Sequence, residues 1–464
     1  MTRRGGHRRL GRAGAVAVAA LTLLGLGIRL YDVLSVRPVC DPPRADPDGD
    51  CFELYGSLSD AVYGHLQGRL IAQGHWFVNP YHALSQPEEV PFSTRAQEVD
   101  PSGPFVRSVG DPPLYQLFLA GATALGAESG ESHRILSSIA GATVIPLAAL
   151  LGLRLRSRRA AIAAAAIAAV HPLLWINDGM LLSEAIYAPL IGASLLLAYA
   201  VWDRPDAGRA AAFSLTVTLA AFARGEALIL LGLLVLPLLL RLPGVDWRRR
   251  FTLLGVAALT AALLVVPWNA WINTQFEEPV FMTAASGSVL SASACDEHFY
   301  GEALALFIYC AVDVDLPSGI DESERDALVR EAATRYIRDN LGRLPVVMVA
   351  RVARMWDLYG PSENLQMNIA VEARGDRPSR AGLAGYYALL PLAGAGLLSM
   401  RRRHLPVWPF AAIALMVSVT AASTFGLTRY RVPADLALVV LGAVGIDALV
   451  SLWTRRRSAS AGAP

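Results

Sequence analysis

Leu151-Gly152-Leu153-Arg154-Leu155-Arg156-Ser157-Arg158-Arg159-Ala160 sets a knot of four arginines between two apolar runs, 133–153 and 160–177. Each run approaches the roughly 20 apolar residues that cross a hydrocarbon layer as a helix. Arginines at such a joint mark the cytoplasmic side, because translocating them is costly. The same arrangement recurs at Arg204/Arg209, Arg241 with Arg248/Arg249/Arg250, Arg401/Arg402/Arg403 and Arg455/Arg456/Arg457. Placing every cluster inside predicts ten spans, near 10–30, 133–153, 160–177, 183–201, 210–223, 226–241, 251–271, 381–400, 406–423 and 432–453, with both termini inside.

Composition agrees with that reading. Of 464 residues 54% are hydrophobic and only 17% charged, and the mean hydropathy is +0.41. A water-soluble chain of this length carries more charge. The net charge is +2, every one of the 41 basic residues is arginine, and no basic tract interleaves with aromatics, so nothing points to nucleic acid. The expected class is an all-α polytopic membrane protein. The basic Arg3–Arg12 stretch before Ala13–Ile28 reads as a signal anchor left in place as the first span.

The expected organisation is a transmembrane module 1–271 containing a first extracytoplasmic loop 32–132, then an extracytoplasmic region 272–380, helices in 381–457 and a disordered tail 458–464. Two apolar stretches, Pro112–Leu125 and Leu344–Tyr359, must not cross, since either one alone would invert the arginine pattern. Both read as amphipathic helices in the outer interface. Asp321 with Glu324 forms a capping-box signature, and Leu328, Ala332 and Tyr336 repeat on one face of the helix that follows. Cys40 and Cys51 share one outer loop and Cys295 and Cys310 the other, so two disulfides are expected, Cys40–Cys51 and Cys295–Cys310. His65, His75, His82, His171 and His298 lack metal-ligand spacing and read as loop or interface residues.

This topology gathers Asp60, Asp111, Arg134, Asp178, Glu184, Arg224, Glu226, Arg351, Arg354, Arg429, Arg431 and Asp435 toward the outer face. Charges at membrane depth are costly and point to function. Acids beside arginines suit a reaction in which a carboxylate takes a hydroxyl proton while guanidinium groups hold a phosphate leaving group. Bland alternatives stand beside each. Asp60 can cap a helix from Ala61, Glu184 can cap the fourth span, Arg224 can simply pair with Glu226, and Arg351 and Arg354 can anchor to lipid headgroups.

Ser59-Asp60-Ala61-Val62-Tyr63, Gly74-His75-Trp76-Phe77, Asp111-Pro112-Pro113-Leu114-Tyr115, Arg134 with Leu136 and Gly141, and Ser183-Glu184 follow one another in order. Ala223-Arg224-Gly225-Glu226, Pro267-Trp268, Arg351 with Trp356, and Arg429-Tyr430-Arg431-Val432-Pro433 continue the series. Together they resemble the GT-C superfamily of polyprenyl-phosphate-sugar glycosyltransferases, most nearly its bacterial family 39 branch of protein O-mannosyltransferases and aminoarabinose transferases. The resemblance implies a multi-pass enzyme of the bacterial plasma membrane that moves a sugar from a polyprenyl-phosphate donor to a glycan, lipid or protein hydroxyl, with inversion. It implies Asp60 as catalytic base, Asp111 and Glu184 as groups positioning the acceptor or a divalent metal, and a donor phosphate held among Arg224, Arg351, Arg429 and Arg431. Tyr63, Tyr115, Arg134 and Glu226 would support them. Asp111 stands where relatives often carry a basic residue, and Asn269-Ala270 replaces an arginine–asparagine pair. A flippase for lipid-linked sugars and a non-catalytic envelope scaffold are the competing classes.

Overall fold

The computed structural model describes residues 9–40, 52, 54, 59–82, 105–307, 310, 314–372 and 374–461. It is 73% helical, with no strand among the described residues. The helices are α1 (Gly11–Tyr31), α2 (Asp60–Ala72), α3 (Leu114–Ala124), α4 (Gly130–Ala142), α5 (Val144–Leu155), α6 (Arg158–Val170), α7 (Glu184–Asp203) and α8 (Ala207–Ala223). An irregular apolar segment, Gly225–Leu240, ends in α9 (Leu236–Leu240) and leads to α10 (Trp247–Ile272). Then follow α11 (Ser286–Ser291), α12 (Asp296–Phe299), α13 (Glu322–Asp339), α14 (Leu344–Met355), α15 (Pro361–Ala370), α16 (Asp376–Arg402), α17 (Trp408–Ser423) and α18 (Val432–Ala461).

Six of these, counting α4 and α5 as one, are long and apolar enough to cross a membrane. The shorter apolar helices α8, Gly225–Leu240 and α17, together with the 13-residue α6, lie at the other four expected positions. The second span bends at Thr143, where the threonine hydroxyl bonds back to Ala140 and Pro146 withholds a donor from the next turn. The third is shorter than expected. α6 stops at Val170, because Pro172 follows, and two 3₁₀ turns, Pro172–Leu174 and Asp178–Met180, complete the rise. Buried Asp178 holds that segment by accepting from Arg29 at 2.7 Å, a pairing not foreseen from sequence.

Starts follow local chemistry. Ser129, Ser157, Asp206 and Asp246 each accept a backbone N–H of the first turn they precede. Ser59 rather than Asp60 caps α2, so Asp60 is its first helical residue and its carboxylate is left to other partners. The Asp321–Glu324 capping box forms as expected. The buried face of α13 is Ser323, Asp326 and Ala333 and not the expected Leu328, Ala332 and Tyr336, because Asp326 turns inward to bond Ser286, Gly287 and Ser288 of α11.

Small residues let the helices approach closely. Ala161, Ala164, Ala165 and Ala168 on α6 are fully buried, and a Cβ at Gly25 of α1 would strike Ile145 and Ala169. Between α16 and α18 the same device is reciprocal. A Cβ at Gly396 would run into the carbonyl of Leu441, and one at Gly445 into that of Leu392.

The charged groups sort to the two ends of the bundle. At one end Arg158 donates to Arg9 O, Arg249 to Pro205 O, Arg403 to Leu155 O and Arg156 to Asp447. These are the arginine clusters that set the predicted topology, and Asp447 finds its partners in Arg156 and Arg159. α14 and α3 stand where the two non-crossing helices were expected. Cys295 and Cys310 are bonded, with Cα atoms 5.8 Å apart. Cys40 is also in a disulfide, while Cys51 lies outside the described residues. α18 continues as helix through Ala461, where a disordered tail was expected from residue 458, and residues 462–464 lie outside the described set.

Replacing Gly396 with valine is expected to force α16 from α18 and cost about 1–3 kcal/mol, as overpacked interiors do. A lowered melting temperature of the purified variant checks it, with exposed Gly394 (nothing within 4 Å of its Cβ position) as the neutral control.

Candidate active site

At the other end of the bundle, four elements bring a string of charges together. Glu184 opens α7, Arg224 sits between α8 and the Gly225–Leu228 turn, Arg429 lies in the Thr428–Arg431 turn before α18, and Asp60 opens α2. Glu184 is almost fully enclosed, and its Oε1 accepts from both Arg224 and Arg429 at 2.5 Å. Arg224 also donates to Glu226 at 2.6 Å. Arg429 spends its other edge on Asp60, Nη1 to Oδ2 at 2.7 Å. Asp60 is the exposed member, with 59% of its side chain open. Glu372 lies 3.9 Å from the same Arg429 nitrogen and 2.7 Å from Arg374.

A buried carboxylate is tolerated only with compensation, and two guanidinium groups on one oxygen supply it. Aromatic faces complete the enclosure of Arg224, with Tyr430 at 5.3 Å and Tyr187 at 6.0 Å from its guanidinium carbon. The Nη2 groups of Arg224 and Arg429 have no acceptor among the described residues. Two donors are therefore left over beside an exposed aspartate.

Asp111 is the second carboxylate at this face. Burial pushes its carboxyl up to about 7, and the charge of Asp60 pushes the same way against Arg429 and Arg224. Tyr81 is raised by burial and then by Asp60 and Asp111, which puts its phenol in the same field. Among the described residues no three of His, Cys, Asp and Glu converge as ligands for a metal ion. Glu184 is committed to its two arginines, and Asp60 and Asp111 repel each other.

The remaining expected residues lie elsewhere. Arg351 is buried and donates to His298 at 2.9 Å and to the carbonyls of Ser293 and Ala422 at 3.1 Å. Arg354 is buried as well, bonded to Leu304 O and paired with Glu363 at 2.8 Å. The expectation of headgroup anchors at both positions is therefore corrected: their heads point into protein, where they tie α14 to the 293–304 stretch and to Ala422 of α17. Arg431 pairs with Asp357 and Asp435 at 2.8 and 3.0 Å under the Tyr386 ring. Arg134 bonds the carbonyls of Gly179 and Val33. Tyr115 bonds Ser137, and Tyr63 bonds Ser108. His65, His171 and His298 are buried rather than in loops or interfaces, and His65 lies 3.0 Å from His133.

Motif order acquires a physical reason. Phe77 packs its ring against Trp268 and Trp271, 5.1 and 5.7 Å between centroids, so the first loop rests on the end of α10. Glu372, Arg374 and Tyr187 were missed, and no local pattern marks them.

No protein-family model and no curated protein sequence matches the chain. Solved structures do. An oligosaccharyltransferase of Archaeoglobus fulgidus, in complex with zinc and sulfate, overlays with a TM-score of 0.52 at 14% identity, covering 95% of this chain and 50% of that one. The same enzyme tethered to an acceptor peptide with the NVT sequon gives 0.52 at 14%, covering 97% and 51%. The chain has a GT-C fold. It spans about half the length of those oligosaccharyltransferase chains. ArnT of Cupriavidus metallidurans overlays at 0.38 with 15% identity, covering 93% and 77%, a level too low to bear on the fold. The GT-C fold thus extends over nearly all of this chain, and the cluster around Glu184 lies within the part it covers.

Two outcomes follow. Glu184→Gln removes the enclosed carboxylate that Arg224 and Arg429 share and should cost about 3 kcal/mol of stability, read from denaturant titration. Asp111→Asn should stabilise the protein with a definite pH sense. A folded-state carboxyl raised above its usual 3.8 loses stability as pH climbs from about 4 to about 7 and no further. The gain in melting temperature over wild type should therefore be small at pH 5 and full at pH 8.

Proposed function

We propose that this chain is a membrane glycosyltransferase that moves a sugar from a polyprenyl-phosphate donor to a hydroxyl acceptor at the extracytoplasmic face, with inversion. One observation carries the reading: exposed Asp60 and buried Glu184 are joined through Arg429, with Arg224 alongside, at the mouth of a GT-C fold. The fold it shares with a membrane oligosaccharyltransferase supports glycosyl transfer as the reaction class. That enzyme takes a peptide acceptor, whereas the acceptor here is left as a hydroxyl on a glycan, lipid or protein.

In this mechanism the acceptor hydroxyl meets the open carboxylate of Asp60, which takes its proton. The hydroxyl oxygen attacks the anomeric carbon from the face opposite the phosphate. The new carbon–oxygen bond forms as the bond to the phosphate oxygen breaks, and polyprenyl phosphate leaves with the electron pair. Arg224 and Arg429 present donors to the phosphate where its charge grows. Glu184 fixes the spacing of the two guanidinium groups. Asp111, raised toward neutrality, serves as a hydrogen-bond donor or acceptor to the acceptor molecule. Arg429 pairs with the base until phosphate competes for the same guanidinium.

Membrane vesicles holding the full chain, given radiolabelled polyprenyl-phosphate mannose, glucose or arabinose, test the reading. Asp60→Asn should lower transfer by roughly a hundredfold or more, the scale of general-base catalysis, with melting unchanged. Asp60→Asn that transfers normally sinks the assignment of the base. Wild-type protein that transfers label from none of the donors, yet binds them, sinks the enzyme reading in favour of a lipid carrier.

A further inference from the structure

The segment before Asp111 is held from far away in the sequence. Glu322, the first residue of α13, accepts the N–H of Val109 at 2.9 Å on Oε2. Its Oε1 accepts from the Ser108 hydroxyl at 3.2 Å. On the other side, the Tyr63 hydroxyl of α2 accepts the N–H of Gly110 at 3.1 Å and lies 2.9 Å from Ser108 Oγ. Gln67 donates to that tyrosine at 2.9 Å and to the carbonyl of Ser108 at 3.3 Å. The Val109 carbonyl takes the N–H of Ala284 at 2.9 Å. Three consecutive residues are thus fixed immediately ahead of Asp111.

The helix end that supplies Glu322 is itself anchored. Asp321 accepts the N–H of Glu277 at 2.8 Å, and Ser323 that of Glu278 at 3.0 Å. Asp326 takes the N–H groups of Gly287 and Ser288. A rigid element of the second outer region therefore reaches into the first.

We infer that Glu322 is a positioning residue for the transfer reaction: by clamping Ser108 and Val109 it sets where the carboxyl of Asp111 points. The inference rests on the functional reading above. Glu322 does not face the substrate and acts through the loop. The charged and titratable groups around it are Arg325 and Asp326 on its own helix and Tyr63 across the loop, with Asp111 beyond. Burial pushes the Glu322 carboxyl up to about 7 in spite of the hydrogen bonds from Val109 and Ser108. A protonated carboxyl keeps both contacts, accepting from Val109 and donating to Ser108. The ionised form keeps them only with a charge away from water. With the folded value raised above the usual 4.5, the clamp is strongest below that pH and weakens as pH rises to about 7. An amide matches the protonated form, donor for donor.

Hydrogen exchange on the full chain in lipid discs, corrected for intrinsic rates, tests this at pH 5 and pH 8. Wild-type protection of residues 105–111 should fall about tenfold between the two. On an Asp111→Asn background, so that Asp111 does not titrate in the same window, Glu322→Gln should hold the pH 5 protection at both, and Glu322→Ala should lose it at both. In the vesicle assay Glu322→Gln should keep transfer, while Glu322→Ala should lower kcat about tenfold or more with a smaller change in KM. Unchanged protection in Glu322→Ala, or lost protection with full transfer, overturns the positioning role. A wild type that transfers no sugar, with protection still dependent on Glu322, overturns the reaction assignment and leaves the clamp. Should Glu322→Ala fail to fold, the pH profile of Glu322→Gln against its Asp111→Asn parent decides, and a pH-dependent profile in Glu322→Gln counts against the clamp.

Discussion

The end of the bundle opposite the arginine clusters depends on one charge arrangement: a carboxylate, Glu184, almost sealed from solvent between Arg224 and Arg429. Neither guanidinium could sit at that depth alone, and neither could the carboxylate. Their mutual satisfaction draws α7, the α8 hairpin tip and the turn before α18 to one point. The three elements are far apart in the chain, so the ion cluster doubles as a tertiary tie. Two guanidinium groups meet one enclosed acid, and Glu226 and exposed Asp60 add two further carboxylates, so the cluster carries no excess positive charge. An incoming anion gains a guanidinium by displacing Asp60, the partner that water can solvate.

Residues 272–380 spend most of their buried arginine donors within the protein. Arg351 and Arg354 bind carbonyls of the 293–304 stretch and Ala422, so they stitch loop to bundle. Arg431 does the same between α14 and α18 through Asp357 and Asp435. Arg351 and Arg354 engage protein through Nε and both Nη groups, whereas Arg429 meets exposed Asp60 with Nη1.

Much of the fold was legible in the sequence because its causes are local or additive. Arginine clusters mark the joints between apolar runs, serine and aspartate caps mark starts one turn ahead, and apolar runs set length. Two limits show where locality ends. Helical periodicity named a wet face and an apolar face for Leu344–Tyr359, but not that Arg351 would meet His298 and not lipid. Likewise nothing local marks Glu322 beside the Asp321 cap, and its partner lies 213 residues away. Glu372 and Arg374 were unmarked because a single charged residue in a loop carries no pattern. Asp60, Glu184, Arg224 and Glu226 were legible through the order of the motifs around them, and the structure joins them by contacts that spacing alone does not specify.

Exposure separates the roles of the acids. Glu184 has one oxygen between two arginines and the other enclosed without a partner, so a proton arriving there would break the cluster. Asp60 holds a single guanidinium nitrogen and is otherwise open. Only the second can exchange its partner for a substrate proton without dismantling the fold. Arg429 links the two, and its geometry makes them unequal: the edge facing Glu184 is buried, while the edge facing Asp60 is reached from outside. An anion entering the site therefore competes for the Asp60 edge first. The carboxylate released by that competition is the one nearest the newcomer, so in the proposed reaction the arrival of a phosphate is tied to the freeing of Asp60.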